Sequence, residues 1–256
     1  MSKVMRQKFA QAERVDKVPG EAVVQSTRDE TCGPQWGFED TGSVLFEAVL
    51  SRVNLQQAWK RVKANKGAAG VDGLDIQQTA DYLKAEWPTI RQQLKQGQYR
   101  PRPVRRVTIP KPDGGQRELG IPTVLDRLIQ QALLQVLQPM IDPGFSDHSY
   151  GFRPGRRAQE AVLKAQSYVQ SGKRMVVDVD LEKFFDRVNH DILIDRLSKR
   201  VADKDIIHLV RSYLNAGIMD HGVFQERYQG TPQGGLCKAL HNDPYVQLLV
   251  MQSNGL

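Results

Sequence analysis

Cysteine is nearly absent: the 256 residues hold two, Cys32 and Cys237, far apart and outside any Cys-x-x-Cys or histidine-rich spacing. That argues against a disulfide framework and a thiolate zinc site, and it fits a reducing compartment. Long apolar runs are lacking too, none approaching the about 18 residues of a membrane-spanning segment. The charged start, Met-Ser-Lys-Val-Met-Arg-Gln-Lys-Phe9, has no apolar stretch behind it to serve as a secretion signal. The expectation is a cytoplasmic globule with no membrane partner. The five histidines are scattered, which offers no imidazole metal cluster, and His190 reads as a helix residue rather than a ligand. Neither an internal repeat nor a low-complexity tract is evident.

What is present is positive charge. With 36 Lys+Arg against 29 Asp+Glu the net charge is +7, which suits a polyanionic partner if the cations are clustered. They are clustered between Arg100 and Arg117, where Arg100, Arg102, Arg105, Arg106, Lys111 and Arg117 stand against the single acid Asp113. Such a stripe can track phosphates.

Residues 1–44 are polar, with Pro19-Gly20, Gly33-Pro34 and Gly42 as breakers, and predict a loosely ordered leader. From there Leu45, Val49, Val53, Ala58 and Val62 predict one amphipathic helix running into the turn Gly67-Ala-Ala-Gly70. A second helix is predicted from Asp75 to about Gln96, with Pro88 expected to kink or split it. Val104-Arg-Arg-Val-Thr-Ile109 and Arg117-Glu-Leu-Gly-Ile121 flank Lys111-Pro-Asp-Gly-Gly115, the pattern of a basic β-hairpin. Helices follow over 125–140 and 158–170, then a valine-rich strand over 174–180. A helix carrying Phe184, Phe185, Val188, Ile192, Leu193 and Leu197 comes next, and one over 206–215 closed by Gly217.

The strand in Arg174-Met-Val-Val-Asp-Val-Asp180 alternates, so Asp178 and Asp180 share one face while Val177 and Val179 point into a core. Two carboxylates on one surface can hold two Mg²⁺ ions about 3.5–4 Å apart; a half-exposed strand with solvated acids is the alternative. Gln229-Gly-Thr-Pro-Gln-Gly-Gly235 has three glycines and one proline in seven residues. Its backbone can approach a planar ligand such as a base or sugar, or it can be a plain turn.

Five segments, Val107-Thr-Ile-Pro-Lys111, Arg117-Glu-Leu-Gly-Ile-Pro-Thr-Val-Leu-Asp-Arg127, Ser149-Tyr-Gly-Phe-Arg-Pro-Gly-Arg156, Val177-Asp-Val-Asp-Leu-Glu-Lys-Phe-Phe-Asp186 and Gly230-Thr-Pro-Gln-Gly-Gly235, stand in an order shared with a known family. Residues 45–235 closely resemble the amino-terminal half of bacterial group II intron-encoded and retron-type reverse transcriptases. The resemblance implies an α+β chain of right-hand polymerase fingers and a partial palm, helix-rich, with a basic β-hairpin and an incomplete palm sheet. Residues 1–44 are then a leader, 45–100 amino-terminal extension helices, 101–173 fingers, 174–235 partial palm and 236–256 a tail foreign to the family.

The resemblance further implies an RNA-directed DNA polymerase that transfers nucleotides with two Mg²⁺ ions. Its partners would be an RNA template, a DNA primer, dNTPs and intron RNA. Asp180 and the backbone carbonyl of Leu181 would bind metal. Phe185 would lie under the incoming sugar and exclude a 2′-hydroxyl by clash. Lys111 and Arg117 would grip the triphosphate, Gln233 and Gly234 would sit near the nucleotide, and Arg105, Arg106, Arg153 and Arg156 would contact template phosphates.

After Gly235 the family continues with a Pro-Leu-Ser-Pro-Leu helix and a Tyr-x-Asp-Asp hairpin carrying another metal-binding acid. This sequence reads Leu236-Cys-Lys-Ala-Leu-His-Asn-Asp-Pro-Tyr245 instead. The expectation is a truncated palm that does not polymerise alone, its strand over 174–180 left with an unpaired edge. A non-catalytic, maturase-like RNA-binding fragment is the alternative.

Overall fold

A computed structural model describes residues 42–110, 114–178 and 186–231, all within the compact unit Glu39–Leu256. The first predicted helix is two. Helix α1 spans Gly42–Val49 and α2 spans Arg52–Ala64. Between them Ser51 turns extended, with ψ 144°, and its side chain accepts the Asn54 amide to cap α2. The break turns Asn54 inward, where its side-chain amide donates to Val49 O at 2.9 Å and Ala132 O at 3.0 Å.

Helix α3, Ile76–Lys95, opens on a capping box. The Asp75 carboxylate accepts the Gln78 amide at 2.8 Å, and the Gln78 side chain accepts the Asp75 amide at 3.0 Å. Pro88 does not split the helix. It lies on the exposed side, while buried Ile90 and Leu94 hold the other face to the core.

The basic hairpin forms as predicted from β1, Val104–Pro110, and β2, Gln116–Ile121, in register from Arg105 opposite Ile121 to Pro110 opposite Gln116. Two further strands went unpredicted: β3, Ile218–Asp220, and β4, Val223–Gln225. Their signal was the dipeptide His221-Gly222, whose φ values of 48° and 85° make the tight turn. Strand β1 pairs in parallel with β3, giving the sheet order β2-β1-β3-β4.

Helix α4, Val124–Ile141, leads into a 3-10 turn, Asp142–Gly144, and is followed by α5, Ala158–Gln170, α6, His190–Ser198, and α7, Lys204–Leu214. The core is built on α4. Its Leu128, Ile129, Ala132, Leu133 and Leu137 are buried together with Phe46 and Val49 of α1, Ala58 of α2, Leu193 of α6, and Ile206, Val210 and Leu214 of α7. Each of the larger side chains contributes about 1.5–3 kcal/mol through burial. Among the described residues no helix is long and apolar enough to cross a membrane.

Two carboxylates inside this packing tie distant elements together. Asp203 caps α7 by accepting the Asp205 and Ile206 amides, both at 3.0 Å, and also accepts the Phe46 amide of α1 at 3.1 Å. Asp126, near the start of α4, accepts the hydroxyls of Thr123 at 2.6 Å, Tyr99 at 2.7 Å and Tyr213 at 3.3 Å, and the Arg102 amide at 3.3 Å. Burial pushes the Asp126 carboxyl above the ordinary carboxylate range, opposed by the four donors.

Three expectations are corrected. The described part of the predicted strand, residues 174–178, forms no strand, and Met175, Val176 and Val177 are 90%, 83% and 83% exposed. Val177 therefore does not face a core. A strand exists through its ladder, and among the described residues none pairs with this segment. Of the predicted following helix, Phe184 and Phe185 lie outside the described residues; α6 begins at His190, where Asn189 caps it by accepting the Asp191 and Ile192 amides at 2.9 and 3.1 Å, and Val188 is buried ahead of it rather than within it. Helix α5 has its predicted bounds yet buries none of its residues.

Asp126→Ala strands three buried donors and is expected to cost about 3 kcal/mol in urea unfolding. The raised carboxyl also sets a pH dependence. Its stabilising share is complete at acid pH below the unfolded value and is lost as pH rises through the folded one. Asp126→Asn should therefore flatten the decline in melting temperature from acid toward neutral pH. Parallel curves for the two proteins would refute this.

Candidate nucleic-acid interface

Adjacent positions on a strand face opposite ways, so Arg105 and Arg106 leave β1 on different sides. Arg105 Nη2 donates to Ala69 O at 2.8 Å, and Arg127 Nη2 of α4 donates to Ala68 O at 2.6 Å. Two guanidiniums thus clamp the loop after α2. The glycines permit it: a Cβ on Gly67 would fall 2.1 Å from Arg127 Nη1, and one on Gly70 would fall 2.6 Å from the Thr123 backbone. Burial lowers the Arg127 pKa, and the nearby Asp72 carboxylate opposes that.

Arg106 is held between two acids. It pairs with Glu118 across the hairpin and with Asp220 of β3 at 3.1 Å. The Glu118 hydrogen bond above all raises its pKa, with burial opposing and Asp220 adding to it. A cation with two carboxylate neighbours presents little net charge to a phosphate. The stripe is accordingly less positive in space than along the sequence, because Glu118 and Asp220 fold onto it.

Arg153 faces inward, its side chain only 6% exposed. It grips the Asp142 carboxylate at 2.9 and 3.1 Å, donates to the carbonyls of Asp142, Ser146 and Ser149, and lies 5.4 Å from the Phe145 ring centre. It braces the turn after α4, and a template phosphate would have to displace Asp142. Arg156 is more open, pairing with Asp147 at 3.4 Å and lying 5.6 Å from the Tyr150 ring centre. Arg100 and Arg102 are exposed.

Lys111, Asp180, Leu181, Phe185, Gln233 and Gly234 lie outside the described residues; Arg117 is placed by its backbone, opposite Ile109 in the hairpin. What the structure does join are the flanks of the two motifs. The Gly230 amide donates to Val188 O at 2.7 Å, Asn189 and Gln229 form an antiparallel bridge, and His190 Nε2 donates to Gly230 O at 2.7 Å. Gly230 has φ 82°, and a Cβ there would fall 2.7 Å from Asp186 O. Arg227 reaches Asp186 at 3.5 Å. His190, read from sequence as an ordinary helix residue, is the first residue of α6 and pins the glycine turn; nothing in its sequence spacing marks that role. Among the described residues no three His, Cys, Asp or Glu side chains cluster to hold a metal.

The profile of the reverse transcriptase (RNA-dependent DNA polymerase) family matches residues 109–242, more than half of the sequence, and the chain belongs to that family. It is of the group II intron and retron type. It is 37% identical over 217 residues to the group II intron-encoded protein LtrA of Lactococcus lactis subsp. cremoris, covering 84% of this chain and 36% of that protein. It is also 35% identical over 192 residues to Protein YkfC of Escherichia coli (strain K12), covering 73% of this chain and 50% of that protein. The chain therefore spans half or less of these relatives. Among solved structures, a chain of a partial Cas6-RT-Cas1--Cas2 complex shares the fold with a TM-score of 0.55 at 23% identity, over 82% of this chain and 34% of that one.

Because the Gly70 Cβ position is occupied by backbone rather than by a movable side chain, Gly70→Ala is expected to cost roughly 1–3 kcal/mol through overpacking. Calorimetry should show a lowered melting temperature; an unchanged one would mean that the clamped loop yields freely.

Proposed function

We propose that this chain is the nucleotide-binding and template-binding part of an RNA-directed DNA polymerase, with fingers over 101–173 and a partial palm over 174–235. The observation that carries the reading is the hydrogen-bonded junction of residues 186–190 with residues 229–230. Its two sides are the immediate neighbours of Asp180 to Phe185 and of Gln233 and Gly234, so one cavity can take contributions from both motifs. The fold shared with a reverse transcriptase-containing structure and the family match over 109–242 agree with it.

In this site Asp180 and the Leu181 carbonyl would hold Mg²⁺. The donor set fits: Asp178, exposed in the structure, and Asp180 are carboxylates, the hard oxygen donors that magnesium takes. When bound, the ion neutralises phosphate charge and lowers the pKa of an attacking hydroxyl. Phe185 selects a deoxyribose by clash, Lys111 and Arg117 at the hairpin turn hold the triphosphate, and Gln233 and Gly234 border the base. The polyanionic partners are an RNA template with a DNA primer, and intron RNA. Arg105, Arg106 and Arg156 line the surface they meet, and Arg153 acts by bracing it. No Tyr-x-Asp-Asp sequence occurs in the 256 residues, so these residues by themselves do not supply the acid of that motif and alone should not extend a primer.

Binding rather than turnover tests the site. On a primer–template with Mg²⁺, the chain should bind a dNTP more tightly than the matching NTP. Phe185→Ala should erase most of that preference, and Asp180→Ala should remove the Mg²⁺ dependence. Equal preference in wild type and Phe185→Ala would sink the assignment. The surface has its own test: Asp220→Asn frees Arg106 from one carboxylate and should tighten RNA binding roughly two- to fivefold at low salt, with a steeper salt dependence.

A further inference from the structure

We propose that the cavity bounded by α3, the start of α4 and the approach to β1 is a binding site for a single nucleotide, held by its phosphate and its base edge and separate from the polymerase site. The cavity has a volume of about 340 Å³, at the lower end of the about 300–1,000 Å³ of small-ligand pockets. That is room for one nucleotide and not for a duplex. Thr79, Tyr99 and Thr123 line it and are buried. Their hydroxyls are already occupied, since Thr79 donates to Asp75 O at 2.7 Å, and Tyr99 and Thr123 donate to the Asp126 carboxylate at 2.7 and 2.6 Å. The polar groups open to a ligand are therefore those of the exposed rim, Arg100, Arg102, Gln93, Gln98 and Tyr82.

The rim chemistry selects the occupant. Arg105, Arg106, Arg127 and Arg153 are each held by a carboxylate or a carbonyl. Arg100 reaches Gly97 O only at 3.5 Å, the limit of a hydrogen bond, and Arg102 is tied through its backbone amide, to Asp126 at 3.3 Å, with its side chain exposed. Against these two guanidiniums stands one lining acid, Asp72, which already accepts the Leu74 amide at 3.2 Å. The excess is positive and fork-shaped, which suits a phosphate. The Gln98 amide donates to Gln93 O at 2.8 Å, so the turn after α3 folds back and sets both glutamines on one rim. A carboxamide carries a donor and an acceptor side by side, the pattern that meets a nucleobase edge, adenine above all. Tyr82, 38% exposed, adds a ring on which a base can stack. An anion without a base would leave the amides and the ring unused. None of these residues belongs to the polymerase site, so the inference does not rest on that reading. The same nucleotide unit exists free and as an unstacked residue of an RNA.

Titration calorimetry of the full chain, without Mg²⁺ so that the polymerase site stays silent, tests it. 5′-AMP is expected to bind at one site with a Kd of about 10–500 μM, and adenosine and ribose 5-phosphate each about tenfold or more weakly. Arg102→Gln should weaken 5′-AMP about tenfold and leave adenosine unchanged. Gln98→Leu should weaken 5′-AMP and adenosine and leave ribose 5-phosphate unchanged. Both side chains are exposed, so the melting temperature should hold. Lys63→Gln, an exposed cation of α2 outside the cavity, should change nothing. A hairpin RNA with one bulged adenosine that binds more tightly than its fully paired counterpart, with the preference lost in Arg102→Gln, would identify RNA as the source of the nucleotide. Saturable 5′-AMP binding with equal affinity for the two hairpins would identify the free nucleotide. Equal affinity for the hairpins and no saturable 5′-AMP binding below about 5 mM overturns the proposal. So does binding that Arg102→Gln and Gln98→Leu both leave unchanged, or that Lys63→Gln weakens as much as they do.

Discussion

A carboxylate sealed from water among tyrosines is costly unless its oxygens are met by donors. Asp126 is met by four, and they come from three places in the chain: Thr123 at the start of α4, Tyr99 and Arg102 in the approach to β1, and Tyr213 in α7. The site inherits its geometry from that convergence. Two residues past Arg102, the Val104 amide donates to Gly217 O at 3.1 Å, and Gly217 lies three residues past the end of α7. The parallel pairing of β1 with β3, which attaches the second hairpin to the basic one, thus begins where the Asp126 network has already brought α7 and the β1 approach together.

That same pairing decides how the positive charge is spent on the surface. Asp220 reaches Arg106 only because β3 lies beside β1, and Arg105 and Arg127 are occupied because the loop after α2 folds beneath them. A basic composition is thereby converted into a few structural clamps and a smaller set of open cations, among them Arg100, Arg102 and Arg156. Such clamps hold the strand and the loop in place and leave the exposed arginines as the uncommitted positive charge of this surface.

Residues 174–178 are the counterpoint to the core. Their valines carry the composition of an inner strand, yet they stand in solvent, because apolar character determines what a segment can bury and not whether a partner is there to cover it. Helix α5 shows the same thing beside them, keeping its helical bounds without burying a residue.

Local chemistry in the sequence by itself determined the basic hairpin, the bounds of α3, α4, α5 and α7 and the family, because hydrophobic period, helix-breaking residues and motif order act within a few residues of one another. The second hairpin, the break at Ser51, the inward turn of Arg153 and the pinning of Gly230 by His190 were decided by tertiary structure. Arg153 is directed by Asp142, 11 residues before it, and His190 by a carbonyl 40 residues after it. Neither distance leaves a period or spacing to read, since such contacts exist only once the chain has packed. The acids of the valine-rich stretch were legible as chemistry, but their strand was not, for a ladder needs a second strand that residues 174–178 do not specify.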